Sequence, residues 1–227
     1  MNQDDIFFHS EGNRWFLRNR SALIAEQRLV HDPVLKILEL ADLKPENVLE
    51  IGASNGYRLH ELQTRLNCRA TAIEPSQEAI EDGQARYPEI TFLQGIASAL
   101  PINDNEQFDL VIVNFVFHWI DRATLLRSVA ETDRVLKDGG HLIIGDFYPA
   151  YPERVTYHHL PESNVWTYKQ NYTEIFLATH LYDLMAFLAL DHSSHQVQPV
   201  LDSRNRIQVA VLRKTLDGGY QTTALNR

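Results

Sequence analysis

The sequence predicts a doubly wound α/β fold: a mostly parallel, Rossmann-like seven-stranded sheet with a C-terminal antiparallel hairpin and an N-terminal helical cap. Three observations carry this reading. From Asn47 onward, short apolar runs alternate with amphipathic stretches, and such alternation implies parallel strands joined by right-handed crossovers. Val48-Leu49-Glu50-Ile51 runs into Gly52-Ala53-Ser54-Asn55-Gly56 and then an amphipathic segment from Tyr57 to Leu66. That is the strand, tight turn and helix that open a nucleotide-binding sheet. Glu74 closes the next strand, where an acid can accept hydrogen bonds from ribose hydroxyls.

The elements follow in order. The stretch from Arg14 to Leu29, with Trp15 and Phe16 near its start, reads as a helix. Asp32 and Pro33 start a second helix, an N-cap oxygen followed by a fixed φ. Val34, Leu35, Ile37, Leu38 and Ala41 give it an apolar face. Strands are expected near residues 47–52, 69–74, 90–94, 108–114 and 140–147, and helices over 57–67, 76–86 and 121–137, the last capped by Asp121. Residues 148–172 show neither strand nor clear helix, and read as a substrate lid rich in Tyr, His and Pro. A helix is expected from Thr173 to Leu190. Gln196 to Leu201 and Arg206 to Leu212 then read as a hairpin about the turn 202–205, with Pro199 marking a sheet edge. Residues 1–227 form one domain in this reading: cap 1–46, cofactor-binding core 47–147, lid 148–172, and a final helix and hairpin over 173–227.

Composition narrows the function. At 227 residues, 44% hydrophobic and 22% charged, the chain is long enough for a real core and has an ordinary globular balance. A formal charge of −9 argues against nucleic acid, whose binders need a basic surface. The single Cys68 fits a reducing compartment. The acidic start Met1-Asn2-Gln3-Asp4-Asp5 lacks the positive region of a secretory signal, and no apolar run is long enough to span a bilayer. A cytoplasmic protein with a small-molecule substrate and no membrane partner is the expectation. The oligomeric state stays open, a homodimer included.

The glycine spacing helps decide between cofactors. A dinucleotide fingerprint starting at Gly52 needs glycines at 54 and 57, but Ser54 and Tyr57 stand there. A nicotinamide oxidoreductase is therefore disfavoured. Glu50-x-Gly52-x-x-x-Gly56 followed by Glu74 resembles the first two motifs of class I S-adenosylmethionine-dependent methyltransferases. The resemblance continues through Gly95-Ile96-Ala97-Ser98-Ala99-Leu100-Pro101, Phe108 to Asn114, and Leu136 to Ile144, in the family's order. It implies S-adenosyl-L-methionine as cofactor, S-adenosyl-L-homocysteine as product, and a methyl group transferred to an acceptor. It also implies that Glu50, Gly52, Ser54, Asn55 and Gly56 surround the methionine moiety and that Glu74 with Pro75 holds the ribose. Ile96 and Ala97 would flank the adenine, with Asn114 and Phe115 at the cleft. Many relatives carry an acid near position 96 to read the adenine amine; Ile96, Ala97 and Ser98 do not supply one.

Methyl transfer from a sulfonium needs mainly alignment, and an alcohol acceptor gains from a base. His158 and His159 in the lid are the candidate catalytic residues, because histidine accepts a proton near neutrality. His118 beside Trp119 reads more readily as a packed histidine beneath the cleft. Tyr157, Trp166 and Tyr168, with Trp15, Arg18 and Asn19 of the prefix, are the candidate acceptor-binding residues. Their combination loosely resembles methyltransferases of bacterial surface-polysaccharide synthesis, which implies a sugar hydroxyl or a similar metabolite as acceptor. No metal site is read: His192 and His195 lack a third ligand. The alternative is a non-catalytic S-adenosylmethionine- or S-adenosylhomocysteine-binding protein on the same scaffold.

Overall fold

The computed structural model describes residues 2–25, 27–103, 108–198, 202–220 and 223. The prefix folds as α1 (Gln3–Ile6), a π-helical turn (Phe7–Glu11), α2 (Gly12–Leu23), α3 (Gln27–Val30) and α4 (Pro33–Leu40). The helix expected over 14–29 thus starts earlier and breaks after Leu23. Asp32 caps α4 as expected, its carboxylate accepting from the N–H groups of Val34 and Leu35.

The core alternates as the apolar pattern requires: β1 (Asn47–Ile51), α5 (Tyr57–Leu66), β2 (Arg69–Glu74), α6 (Gln77–Arg86), β3 (Thr91–Gln94), β4 (Phe108–Asn114), a 3-10 turn (Phe117–Trp119), α7 (Leu125–Val135) and β5 (Leu136–Phe147). The lid holds a small hairpin, β6 (Glu153–Thr156) with β7 (Trp166–Lys169), followed by α8 (Thr173–Leu177), β8 (Tyr182–Asp191) and β9 (Arg206–Lys214). The seven-stranded sheet has the order β3-β2-β1-β4-β5-β9-β8. Strands β1 to β5 are parallel, while β9 runs antiparallel to both β5 and β8. The order reverses at β1, which pairs with β2 on one side and β4 on the other. In open sheets of this kind the ligand crevice lies beyond the strand C-termini at that point.

Each face of the sheet is buried, so strand residues are sorted by parity. Val48, Ile112 and Ile143 pack with Val34 of α4 and Leu59 of α5. Leu49, Ile51, Val111 and Ile144 pack on the other face with Val135 of α7 and Phe176 of α8.

Several expectations change. The helix expected over 173–190 stops after Leu177, and Tyr182 to Asp191 is a sheet strand instead. A register shift between Leu184 and Ala186 breaks the two-residue alternation that would have shown a strand, and its apolar residues then fall by chance near helical spacing. The hairpin partner of β9 is therefore β8. Gln196 to Gln198 form no strand, and residues 199–201, Pro199 among them, lie outside the described residues. β5 starts at Leu136 rather than 140, and α7 starts at Leu125, not at Asp121. The lid has strand structure where none was expected.

Gly83, in α6, shows how tightly the helices hold the turn after β1. A Cβ there would meet the Asn55 carbonyl oxygen at 2.7 Å as well as the Phe92 ring. Gly83→Ala is expected to lower the unfolding free energy by about 1–3 kcal/mol, as overpacking does. Denaturant titration checks this, and an unchanged midpoint would refute the contact.

Candidate active site

One cavity of about 1050 Å³ opens beyond the C-terminal ends of β1, β2, β4 and β5. It exceeds what one small ligand usually occupies, roughly 300–1,000 Å³. The prefix and the lid hairpin line its other walls.

The turn after β1 is built for a ligand. Gly52 has φ +73°, and Ser54 adopts φ +53°, the left-handed backbone that favours glycine. Holding Ser54 there places its N–H 2.7 Å from Glu74 Oε2, while the N–H of Ser76 lies 3.0 Å from Oε1. Each carboxylate oxygen keeps a second acceptor position. Ser54 Oγ and Asn114 Oδ1 are buried with no partner among the described residues, and both residues line the cavity. Burial pushes the Glu74 carboxyl up to about 7, against the pull of the two N–H donors.

Beneath this floor lies an ionic cluster that sequence reading missed. Glu50 shares its sheet face with Val48, so it points toward α4 and α5 and does not line the cavity. There it pairs with Arg58 of α5, whose Nε also lies 3.0 Å from Asp32 Oδ2. Burial opposes the Arg58 charge, but Asp32 and Glu50 outweigh it and hold the guanidinium above its usual range. Asp32 and Arg58 line the cavity. In sequence, Asp32 showed only its capping role.

The end of β4 carries the second feature. Asn114 lies over Gly145 of β5, where any Cβ would strike its amide. Phe115 then takes φ +55° and returns its N–H to the Gly145 carbonyl at 2.8 Å. This turn delivers His118, 2% exposed, to the cavity wall. Its Nδ1 lies 3.0 Å from Asp146 Oδ1, and its backbone N–H lies 3.2 Å from Oδ2. Asp146 is fully buried in β5. Around His118 stand the rings of Phe115, Trp119 and Phe147, with His192 against Phe115 and Phe147. Burial, with His195, Lys169 and His118 nearby, pushes the His192 imidazole below its ordinary value.

Of the residues expected at the cofactor, Gly52, Ser54, Glu74, Pro75, Ile96, Ala97, Asn114 and Phe115 line the cavity. Glu50, Asn55 and Gly56 do not. Asn55 donates to Asp82 at 2.9 Å, and a Cβ at Gly56 would meet Phe92 and Ile90, so core packing rather than ligand approach explains that glycine. Of the acceptor candidates, Trp15, Asn19 and Tyr157 line the cavity together with His158 and His159, whose ring centroids lie 3.9 Å apart with the planes tilted by 44°. Burial, then Arg18 and His158, lowers the His159 value. Arg18 instead pairs with Glu11 and donates to the Tyr157 hydroxyl at 3.1 Å. Trp166 and Tyr168 face away and carry the guanidinium groups of Arg154 and Arg122 over their rings. No group of three His, Cys, Asp or Glu among the described residues could hold a metal ion, and no helix among them is long and apolar enough to cross a membrane.

A family model described as a methyltransferase domain matches residues 49–144, from β1 into β5. Those residues are thus similar to a methyltransferase domain. The cavity suits S-adenosylmethionine as cofactor: an acid with open acceptor positions, and two unpartnered buried polar atoms. An uncharacterized methyltransferase of Mycobacterium tuberculosis is 37% identical over 98 residues, 42% of this chain and 37% of its own length. A demethylmenaquinone methyltransferase of Renibacterium salmoninarum is 32% identical over 49% of this chain and 46% of its own length. The chain thus spans less than half the length of these curated relatives. Among solved structures, the N-methyltransferase NodS of Bradyrhizobium japonicum with S-adenosylhomocysteine superposes with TM-score 0.62 at 19% identity, covering 89% of this chain and 98% of that one. A 1,6-didemethyltoxoflavin-N1-methyltransferase of Burkholderia thailandensis gives TM-score 0.64 at 17% identity, covering 94% and 87%. At these identities the superpositions speak for the fold.

Ribose hydroxyls donate best to an ionised carboxylate. Burial holds the Glu74 carboxyl near 7 in the ligand-free protein, so a ligand whose hydroxyls donate to it is expected to release the carboxyl proton on binding. S-adenosylhomocysteine affinity is expected to fall as pH drops from 8 to 6, and Glu74→Gln is expected to flatten that slope. The sign for folding is opposite. A raised carboxyl value stabilises the ligand-free fold below the unfolded value near 4.5, and that contribution is lost as pH rises through about 7. Calorimetry at three pH values separates the two effects.

Proposed function

We propose that this chain is an S-adenosylmethionine-dependent methyltransferase acting on a small-molecule acceptor through a hydroxyl, with a sugar or similar polyol metabolite as the class that fits best. The observation that carries the cofactor half is Glu74, buried at the end of β2 with an open acceptor position on each oxygen and facing the cavity. Support for the acceptor half comes from the wall facing the ends of β4 and β5. Trp15, Trp119 and Tyr157 offer aromatic faces for the C–H surface of a sugar ring.

S-adenosylmethionine, when bound, supplies a methyl group already activated on a sulfonium. The protein's part is to align the acceptor and to receive its proton. Of the six histidines that line the cavity among the described residues, three are candidates for the second role: His118, His158 and His159. His158 and His159 are exposed on the lid, and the lowered value of His159 keeps it neutral and able to accept. His118 is supported better. Asp146 Oδ1, 3.0 Å from Nδ1 although outside hydrogen-bond geometry, favours a proton on Nδ1 through its charge and leaves Nε2 as the acceptor. Packing among Phe115, Trp119 and Phe147 restricts the ring, so little ordering remains to be done when the acceptor arrives.

Saturable calorimetric binding of S-adenosylhomocysteine tests the cofactor half. Glu74→Ala is expected to weaken it roughly 100-fold through lost charge-assisted hydrogen bonds. Thioether release from S-adenosylmethionine against pools of sugars and other hydroxylated metabolites tests the acceptor half. Tight cofactor binding with no release on any pool would favour the non-catalytic reading. With an acceptor in hand, His118→Gln is expected to cut kcat by about 100-fold or more while cofactor affinity stays near wild type. Asp146→Asn, acting through the tautomer, is expected to lower kcat and displace the acidic limb of its pH profile. Wild-type kcat in His118→Gln with a tenfold loss in His158→Ala or His159→Ala would return the role to the lid.

A further inference from the structure

The N-terminal helix does more than cover the cavity. Three carboxylates line the cavity among the described residues: Asp4, Asp32 and Glu74. Asp32 is committed to Arg58 and to the first turn of α4. Glu74 sits at the end of β2, where the ribose belongs. Next to it, on the side of β3, Pro75, Gly95, Ile96 and Ala97 form the wall. That wall suits the flat apolar faces of a purine, yet none of its side chains can accept a hydrogen bond. Adenine presents an exocyclic amine, a donor whose burial without a partner costs about 1–3 kcal/mol.

Asp4 stands where the wall continues. It is 7% exposed, lines the cavity, and is tied to Ser98, the residue after Ala97. Ser98 Oγ donates to Asp4 Oδ2 at 3.1 Å, and Thr124 Oγ1 donates to the same oxygen at 2.5 Å. The N–H of Asp121 donates to Oδ1 at 2.7 Å. A carboxylate offers about four acceptor positions. Three are taken, and the fourth, on Oδ1, is open. Gln3 locks the same helix, donating to the Trp119 and Trp166 carbonyls at 2.6 and 2.8 Å and accepting from the Trp166 N–H at 2.9 Å. On the far side of the purine wall, Asn13 accepts from Ser76 Oγ at 2.8 Å. The carboxylate is thereby buried and held by residues that follow β3 and β4, far along the chain.

We propose that Asp4 accepts a hydrogen bond from the exocyclic amine of the cofactor's adenine, so that the segment before the sheet completes the adenosine site and sets its base specificity. This rests on the S-adenosylmethionine reading of the cavity. It explains how the loop after β3 dispenses with an acid of its own.

S-inosylhomocysteine, which carries a carbonyl in place of the amine, separates a base-reading role from a merely structural one. Calorimetry of the intact protein with both thioethers is expected to show the adenosyl compound binding at least 30-fold more tightly. Asp4→Asn, whose amide can donate to the carbonyl, is expected to shrink that ratio to less than threefold. Thr124→Val removes one donor from the Asp4 carboxylate without removing the carboxylate, and is expected to keep the preference. A wild-type ratio near one would overturn the proposal without any variant, as would a folded Asp4→Asn protein that keeps the wild-type preference. If the wild type bound neither thioether, the cofactor reading itself would fall, an outcome distinct from equal binding of the two.

Discussion

The site depends on a roof held down by buried polar groups. A parallel sheet delivers its strand ends to one level, but that edge alone is an open crevice. Here the prefix closes it through Gln3, Asp4 and Glu11, each buried. Their partners are scattered: Trp119 and Asp121 after β4, Ser98 after β3, Trp166 and Tyr157 in the lid. Hydrophobic contact would hold such a roof down in many orientations. Buried donors and acceptors must be matched, and an unmatched one is costly, so the polar set selects one orientation. The apolar partners, Phe7 stacked on Trp119 at 5.2 Å and Phe16 in a small cluster with Tyr57, supply area rather than register.

The same economy appears below the cavity. Asp32, Arg58 and Glu50 come from the start of α4, from α5 and from β1, and are all nearly inaccessible to solvent. A buried ionic cluster is weak evidence for added stability, since desolvation offsets much of the attraction. What it does is pin three elements at one point directly under the turn that carries Ser54. The cap is thus tied to the sheet twice, above the cavity through α1 and below it through α4. The cavity wall between the two ties is built from the β4 turn and the lid.

Left-handed backbone occurs at the cavity as well as at outlying turns such as Asp42 and Asn67. Ser54 and Phe115, both with positive φ, flank the cavity at the ends of β1 and β4. Non-glycine residues in that region cost free energy and persist where the surroundings over-determine them. At Ser54 the compensation is the bond to Glu74. At Phe115 it is the bond to Gly145 and the ring contacts with His118, Phe147 and His192. Gly145 matters because its missing Cβ makes room for the Asn114 amide.

Local pattern sufficed for the repeating part of the molecule. Burial of both sheet faces makes each parallel strand a compact apolar run, and crossover helices must be amphipathic. The strands and helices from Asn47 to Asn114, the turn at Gly52 and the acid at Glu74 were therefore legible in sequence. Legibility failed where periodicity failed: the register shift in β8 hid a strand, and the lid hairpin has an exposed β6 with no apolar alternation to show it. It failed again where a residue's role depends on a partner far along the chain. Asp4 reads as one more acid near a terminus until Ser98 and Thr124 fold against it, and His118 reads as packing until Asp146 is placed 3.0 Å from its ring. Glu50 reads as a ligand contact until strand parity turns it toward Arg58. Sequence alone determined the alternating strands and helices from Asn47 to Asn114 and the strand ends at which the cavity opens, because both follow from local burial and chain direction. Tertiary structure alone decided which side chains meet in the cavity, because a hydrogen bond is set by positions in space to within a few tenths of an ångström.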